Sequence, residues 1–170
     1  KGIVRDINED SFNIIEAGEG IPASFIIADG MGGHNSGEVA SRMAVETVSG
    51  LICSKRINLD SEDNVKQAII SMMKEANTVV YTNAKRHSDN HDMGTTLTVA
   101  VVYKDKLIIG HVGDSRAYVV RGSQIERITT DHSYVEELVK NGLLTREQAQ
   151  NHPRKNVITR SLGAEERSEE

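Results

Sequence analysis

The apolar positions of this chain follow two different rhythms. From Glu38 to about Arg56, Val39, Met43, Val45, Val48 and Leu51 recur near a 3.6-residue period, which predicts a helix with one buried stripe. A longer helix is predicted to run to about Arg86, with Asp60 or Ser61 as its N-cap. Val65, Ile69, Met72, Met73, Ala76 and Val80 mark its packed face. Elsewhere the rhythm is that of strands. Ser11–Glu16 and Ala23–Asp29 read as two strands joined by the Gly-rich turn Ala17–Pro22, and a glycine loop, Gly30–Gly37, follows the second. Beyond an exposed polar loop at Arg86–Met93, the segments Thr95–Tyr103, Lys106–Val112, Arg116–Arg121 and Gln124–Thr129 predict a meander. Its turns fall at Lys104-Asp105 and Gly122-Ser123. Ser133–Asn151 is helical again, broken at Gly142. Runs segregated in this way imply α+β layers with an antiparallel sheet, not a βαβ repeat.

Composition narrows the class without naming a function. The 170 residues are one domain or one large piece of a domain, with ordinary apolar and charged content, so whole-chain disorder is excluded. A net charge of −5 argues against a general nucleic-acid binder, whose phosphate contacts need a basic surface. The longest apolar runs, such as Val99–Tyr103, fall far short of the ~20 residues a membrane span requires. One cysteine, Cys53, excludes a disulfide framework and a Cys-rich zinc site, and fits a reducing, cytoplasmic location. Lys1 is not a natural initiator, so a few preceding residues are expected.

Three clusters carry candidate chemistry. In Asp29-Gly30-Met31-Gly32-Gly33-His34 an aspartate ends an apolar strand, and the following glycine lets a backbone carbonyl approach the same ligand. Carboxylate plus carbonyl are hard oxygen donors, suited to Mg²⁺ or Mn²⁺. The same residues also suit an ordinary Gly-rich turn with Asp29 as a cap. A dinucleotide loop fails on spacing, because its third glycine would stand at Asn35. Arg5-Asp6-Ile7-Asn8-Glu9-Asp10 gathers a cation and three carboxylates before a strand, as a solvated charged turn also would. In Gly110–Arg116, Asp114 again ends an apolar strand among small residues, a pattern shared with plain β-turns. Acids at three strand ends are together suited to converge on a hard-metal cluster that supplies a nucleophilic hydroxide and neutralises phosphoryl charge. Arg5 adds a bidentate phosphate donor. No Gly-x-x-x-x-Gly-Lys-Ser/Thr loop is present, so hydrolysis fits better than ATP-driven chemistry.

The blocks Arg5–Asp10 (RDINED), Ala28–Ser41 (ADGMGGHNSGEVAS), Met93–Leu97 (MGTTL) and Gly110–Tyr118 (GHVGDSRAY) resemble those of bacterial metal-dependent PPM/PP2C-type protein serine/threonine phosphatases. Thr129–Ser133 (TTDHS) and Val157–Gly163 (VITRSLG) extend the likeness over nearly the whole chain. The resemblance implies an αββα sandwich of two antiparallel sheets flanked by helices. It also implies two core Mn²⁺ or Mg²⁺ ions and hydrolysis of phosphoserine and phosphothreonine monoesters by direct attack of water. By matched motif, Asp29 resembles the metal-bridging aspartate, and Gly30 the residue that ligates through its carbonyl. Glu9 and Asp10 resemble the acidic pair at the site, Arg5 the substrate-phosphate clamp, and Asp114 the carboxylate of a third, weaker metal. Residues 133–151 stand where the family carries a flap beside the cleft.

The resemblance further implies phosphoproteins, and a serine/threonine kinase with its substrates, as partners. The chain departs from the family in two places. Met31 occupies a position where some members have histidine, and His34 reads as a structural loop residue. The family's later Asp-Gly-Leu and Gly-x-Asp-Asn blocks do not occur before Glu170, which implies a C-terminally incomplete domain lacking its last strands and helix. Open sheet edges would then favour oligomers or strand swapping. The competing function class is a phosphatase-like module that binds phosphoprotein or a regulatory partner without turning it over.

Overall fold

The computed structural model describes residues 7–32, 36–55, 57–86 and 93–165. Two antiparallel strands, β1 (Asp10–Ile15) and β2 (Ser24–Met31), open the fold and are followed by two helices, α1 (Ser36–Cys53) and α2 (Glu62–Arg86). Then come β3 (Gly94–Thr95), β4 (Leu97–Tyr103), β5 (Lys106–Val112), β6 (Tyr118–Arg121) and β7 (Gln124–Arg127). Two short helices, α3 (Tyr134–Lys140) and α4 (Arg146–Gln150), complete it. The five-stranded sheet runs β1-β2-β4-β5, with β3 also paired to β2, and β6-β7 form a second, two-stranded sheet. The expected α+β class with two antiparallel sheets is what the chain adopts.

Burial follows strand parity. Ile15, Ser24, Val101 and Ile108 share one row of the sheet, and Ile26 and Val99 the next, all buried beneath the helices. α1 packs on β1 and β2, α2 on β4 and β5, and the two helices pack on each other. Most of the helical stripe read from the sequence is buried, Val45, Val48 and Leu51 in α1 and Val65, Ile69, Met72, Met73, Ala76 and Val80 in α2, while Val39 and Met43 are half-buried at the core's edge. Ser61 caps α2, its hydroxyl accepting from the backbone N–H of Asn64 at 3.1 Å. The opposite face of the sheet carries Phe12, Ile14, Phe25 and Ile27, all exposed.

Two expectations need correction. Thr95–Tyr103 is not one strand, because Thr96 interrupts it. The Thr96 hydroxyl takes the backbone N–H of Asp29 at 2.9 Å, in the place a ladder carbonyl would fill. Nor do the last four strands form one meander. Gly113, at φ +107°, turns the chain after β5 in a conformation that side chains rarely adopt, so β6 and β7 leave the main sheet. β6 starts at Tyr118 rather than Arg116, whose side chain is engaged elsewhere. The remaining boundaries shift by one to three residues. The predicted loop at 86–93 and His34 fall largely or wholly outside the described residues.

The segment 161–165 is anchored to the sheet. Thr95 and Leu162 exchange both backbone hydrogen bonds, at 3.1 and 2.8 Å, and Leu162 is fully buried. Asn77, buried in α2, accepts from the Gly163 N–H at 2.8 Å and donates to the Glu165 carbonyl at 3.0 Å. An amide replaced by methyl would strand the buried Gly163 N–H away from water. Asn77→Ala is therefore expected to lower unfolding stability by about 2 kcal/mol, read as a shift in the urea midpoint at unchanged slope.

Candidate metal centre at the sheet end

The end of β2 is where the sequence clusters meet. Asp10 of β1 stands in register with Asp29 of β2, so one pairing step brings the first two acidic motifs side by side. Glu9 precedes β1, and its carbonyl accepts the Gly30 N–H at 2.9 Å. Glu9, Asp29, Gly30, Met31, Gly32, Thr96, Asp114 and Ile158 line a cavity of about 320 Å³. The three acids came from three separate segments, as the sequence reading required. Asp10 does not line that cavity but a neighbouring groove along β1 and α1, beside Arg42 and Glu46. Arg5 lies outside the described residues.

Threonines fix the position of Asp29. The Thr96 hydroxyl accepts from the Asp29 N–H, the Thr96 N–H donates to the Asp29 carbonyl at 2.9 Å, and the Thr95 hydroxyl donates to the same carbonyl at 3.1 Å. Both threonines are fully buried. Thr96 also shares a hydrogen bond with the Ser115 hydroxyl at 2.8 Å, and a side chain on Gly113 would strike it. The loop that bears Asp114 is thus tied to the backbone of Asp29 through one hydroxyl. The sequence reading assigned no role to Thr95, Thr96 or Ser115. Their signal was present in the quoted MGTTL and GDSR blocks, as two polar residues opening an apolar strand.

Glycine serves here for close approach. A Cβ on Gly37, in the first turn of α1, would come within 2.5 Å of Glu9 Oε1 and 2.9 Å of the Gly30 carbonyl carbon. A Cβ on Gly30 would run into the Gly37 carbonyl. The glycines therefore let the α1 terminus, the β2 end and the Glu9 carboxylate share one space, and the helix terminus favours that negative charge.

The cavity's donors are hard oxygens: three carboxylates and the backbone at Gly30. Among the described residues, no three His, Cys, Asp or Glu side chains close into a ready-made metal shell. That arrangement suits an ion that keeps several waters and takes one or two carboxylates, as Mg²⁺ does. It does not suit a dehydrating tetrahedral zinc site.

Two histidines stand behind the site. His111 stacks on His132 with centroids 5.3 Å apart. His111 Nδ1 pairs with the Thr98 hydroxyl at 2.9 Å, and the Gly113 N–H donates to His132 Nδ1 at 3.1 Å. Nε2 of His111 is buried without a hydrogen-bond partner. Burial lowers the pKa of both rings, and for His132 the neighbouring His111 and Arg160 lower it further.

Comparison with known proteins settles the family. The sequence profile of Protein phosphatase 2C matches residues 4–165. The chain belongs to the protein phosphatase 2C family. It is 38% identical over 165 residues to the serine/threonine phosphatase stp of Listeria welshimeri serovar 6b, covering 97% of this chain and 65% of that protein. The structure of serine/threonine phosphatase Stp1 from Staphylococcus aureus superposes with a TM-score of 0.90 at 36% identity, over 99% of this chain and 65% of that one. The catalytic domain of the serine/threonine protein phosphatase PstP in complex with two manganese ions gives a TM-score of 0.76 at 32% identity. It is matched over 95% of this chain and 63% of that chain. The chain thus spans slightly less than two thirds of the length of these relatives.

Two predictions follow from the local geometry. Gly37→Ala is expected to destabilise the fold by about 2 kcal/mol, seen as a lowered thermal midpoint, and Glu9→Ala in the same chain should restore part of the loss. For the histidines, a folded pKa below the unfolded value means that the unfolded chain takes up the proton first on acidification. Stability is then complete above about pH 6.5 and falls as the pH drops through the folded values. A His111→Asn variant, which keeps an acceptor for Thr98, should show a smaller fall in melting temperature between about pH 7 and 5.

Proposed function

We propose that this protein is a metal-dependent serine/threonine phosphatase that hydrolyses phosphoserine and phosphothreonine monoesters on proteins. The observation that carries the reading is the convergence of Glu9, Asp29, Asp114 and Gly30 on one cavity in a chain of this family. The manganese ions of the related PstP catalytic domain support Mn²⁺, with Mg²⁺ the chemically equivalent alternative. When bound, such ions lower the pKa of water and neutralise charge on the phosphoryl oxygens.

The chain's residues then divide the work. Asp29, held by the clasp of Thr95 and Thr96 on its backbone, would be the principal metal-holding carboxylate. Gly30 would contribute its carbonyl and Glu9 its carboxylate, Asp10 would add negative charge from the neighbouring groove beside Asp29, and Asp114 would serve a third, weaker ion. Arg5 clamps the substrate phosphate in bidentate fashion. Water oxygen bonds to phosphorus while the ester P–O bond breaks, and the serine or threonine leaves as its protonated hydroxyl. No phosphoenzyme forms. No histidine lines the cavity among the described residues.

Phosphoproteins, including a serine/threonine kinase and its targets, are the proposed substrates. A reducing cytoplasm is supported by the single exposed Cys53. No described helix is long and apolar enough to cross a membrane. The deciding experiment is hydrolysis of a phosphothreonine peptide with Mn²⁺ or with EDTA, by the wild-type chain and by Asp29→Ala. Mn²⁺-dependent turnover that falls at least about 100-fold in the variant is expected. Turnover that persists in EDTA, or near wild-type rates in Asp29→Ala, would overturn the assignment. Peptide binding without turnover in every condition would favour the non-catalytic module.

A further inference from the structure

A second cavity, of about 560 Å³, lies between the β6-β7 hairpin and helices α3 and α4. It meets the candidate metal centre at Asp114, which lines both. A peptide whose phosphorylated residue occupies the first cavity would therefore lay its neighbouring residues in the second, since each extended residue advances about 3.3 Å.

The walls of this cavity carry four cations: Arg116, Arg127, Arg146 and Lys155. Two carboxylates hold the arginines in place. Asp131, buried, receives Arg116 at 2.6 Å and Arg127 at 3.3 Å. Glu136 receives Arg127 at 3.6 Å and Arg146 at 3.3 Å. Three guanidiniums thus share two carboxylates. Lys155 has no acidic partner among the described residues, so it adds a second uncompensated charge. Asp114 alone offsets this, and it faces the metal centre as well. A chain with net charge −5 thus places a surplus of positive charge in this cavity. The buried carboxylate also fixes the Arg116 and Arg127 side chains, so an incoming anion need not order them.

We propose that this cavity binds a second anionic side chain of the substrate, flanking the phosphorylated residue, and so sets the enzyme's preference among phosphoproteins. Arg146, the most exposed of the three arginines, and Lys155, also exposed, meet that anion first; Arg116 and Arg127, held by Asp131, receive it next. The anion is a carboxylate or a second phosphate. The phosphate is favoured, because its oxygens accept paired guanidinium donors. The proposal rests on the phosphatase reading of the adjoining metal centre.

The test is fluorescence anisotropy in Mn²⁺ with three labelled phosphothreonine peptides, flanked by alanines, by glutamates, or by a second phosphothreonine. The alanine-flanked peptide is expected to bind, the glutamate-flanked one about fivefold tighter and the doubly phosphorylated one about tenfold tighter, all on the wild-type chain. The preference should shrink toward one as salt rises to about 0.5 M. In Lys155→Ala/Arg146→Ala it should drop below about twofold, with alanine-flanked binding unchanged. An unaltered circular dichroism spectrum checks the fold of that variant, whose substitutions are at exposed positions. Equal binding of the three peptides, or a preference that survives in the variant, overturns the proposal alone. Failure of all three peptides to bind overturns the phosphatase reading and the proposal together.

Discussion

The fold's chemistry depends on how one backbone unit is held. Asp29 pairs with Asp10 on one side of β2 and on the other lies between the stretch paired to β4 and the stretch paired to β3, where the ladder is interrupted. Its N–H and carbonyl are instead taken by Thr96 and Thr95, both buried, so the carboxylate projects from a rigid base. The same Thr96 hydroxyl reaches Ser115 and so ties down the loop of Asp114. A buried hydroxyl with several partners is costly to lose and leaves little conformational freedom. Removing it would loosen two acidic residues at once.

Around that clasp the structure is arranged by close approach. Gly30 and Gly37 carry no side chain, and this allows the α1 terminus to reach the Glu9 carboxylate. On the far side, Asp131 collects two arginines, and through Arg127 and Glu136 the ion pairs continue to Arg146 of α4. The candidate metal centre is therefore bounded on one side by packed backbone, which excludes side chains, and on the other by a charged brace, which presents them.

The chain alone made the layered α+β class legible, because a buried stripe must repeat at the period of its element. Val45, Val48 and Val65 to Val80 announced the two helices, and all of these are buried as read. The acidic motifs were legible too, since Asp29, Glu9 and Asp114 stand at strand ends beside glycine or small residues. What local reading could not separate was a metal centre from three ordinary turns. It also merged β5 and β6 into one meander, because apolar alternation records which residues face a core but not which strands pair.

Sequence by itself thus determined the elements, the family blocks and the identity of the carboxylates, all of which depend on local spacing and side-chain type. Tertiary structure decided which of those carboxylates share a cavity: Glu9, Asp29 and Asp114 do, while Asp10 opens onto a neighbouring groove. It also decided the pairing of Thr96 with Asp29, of Ser115 with Thr96 and of Asp131 with Arg116, across 15 to 67 residues of chain. Hydrogen bonds and ion pairs of that range are set by strand register and helix docking, and no local pattern encodes them.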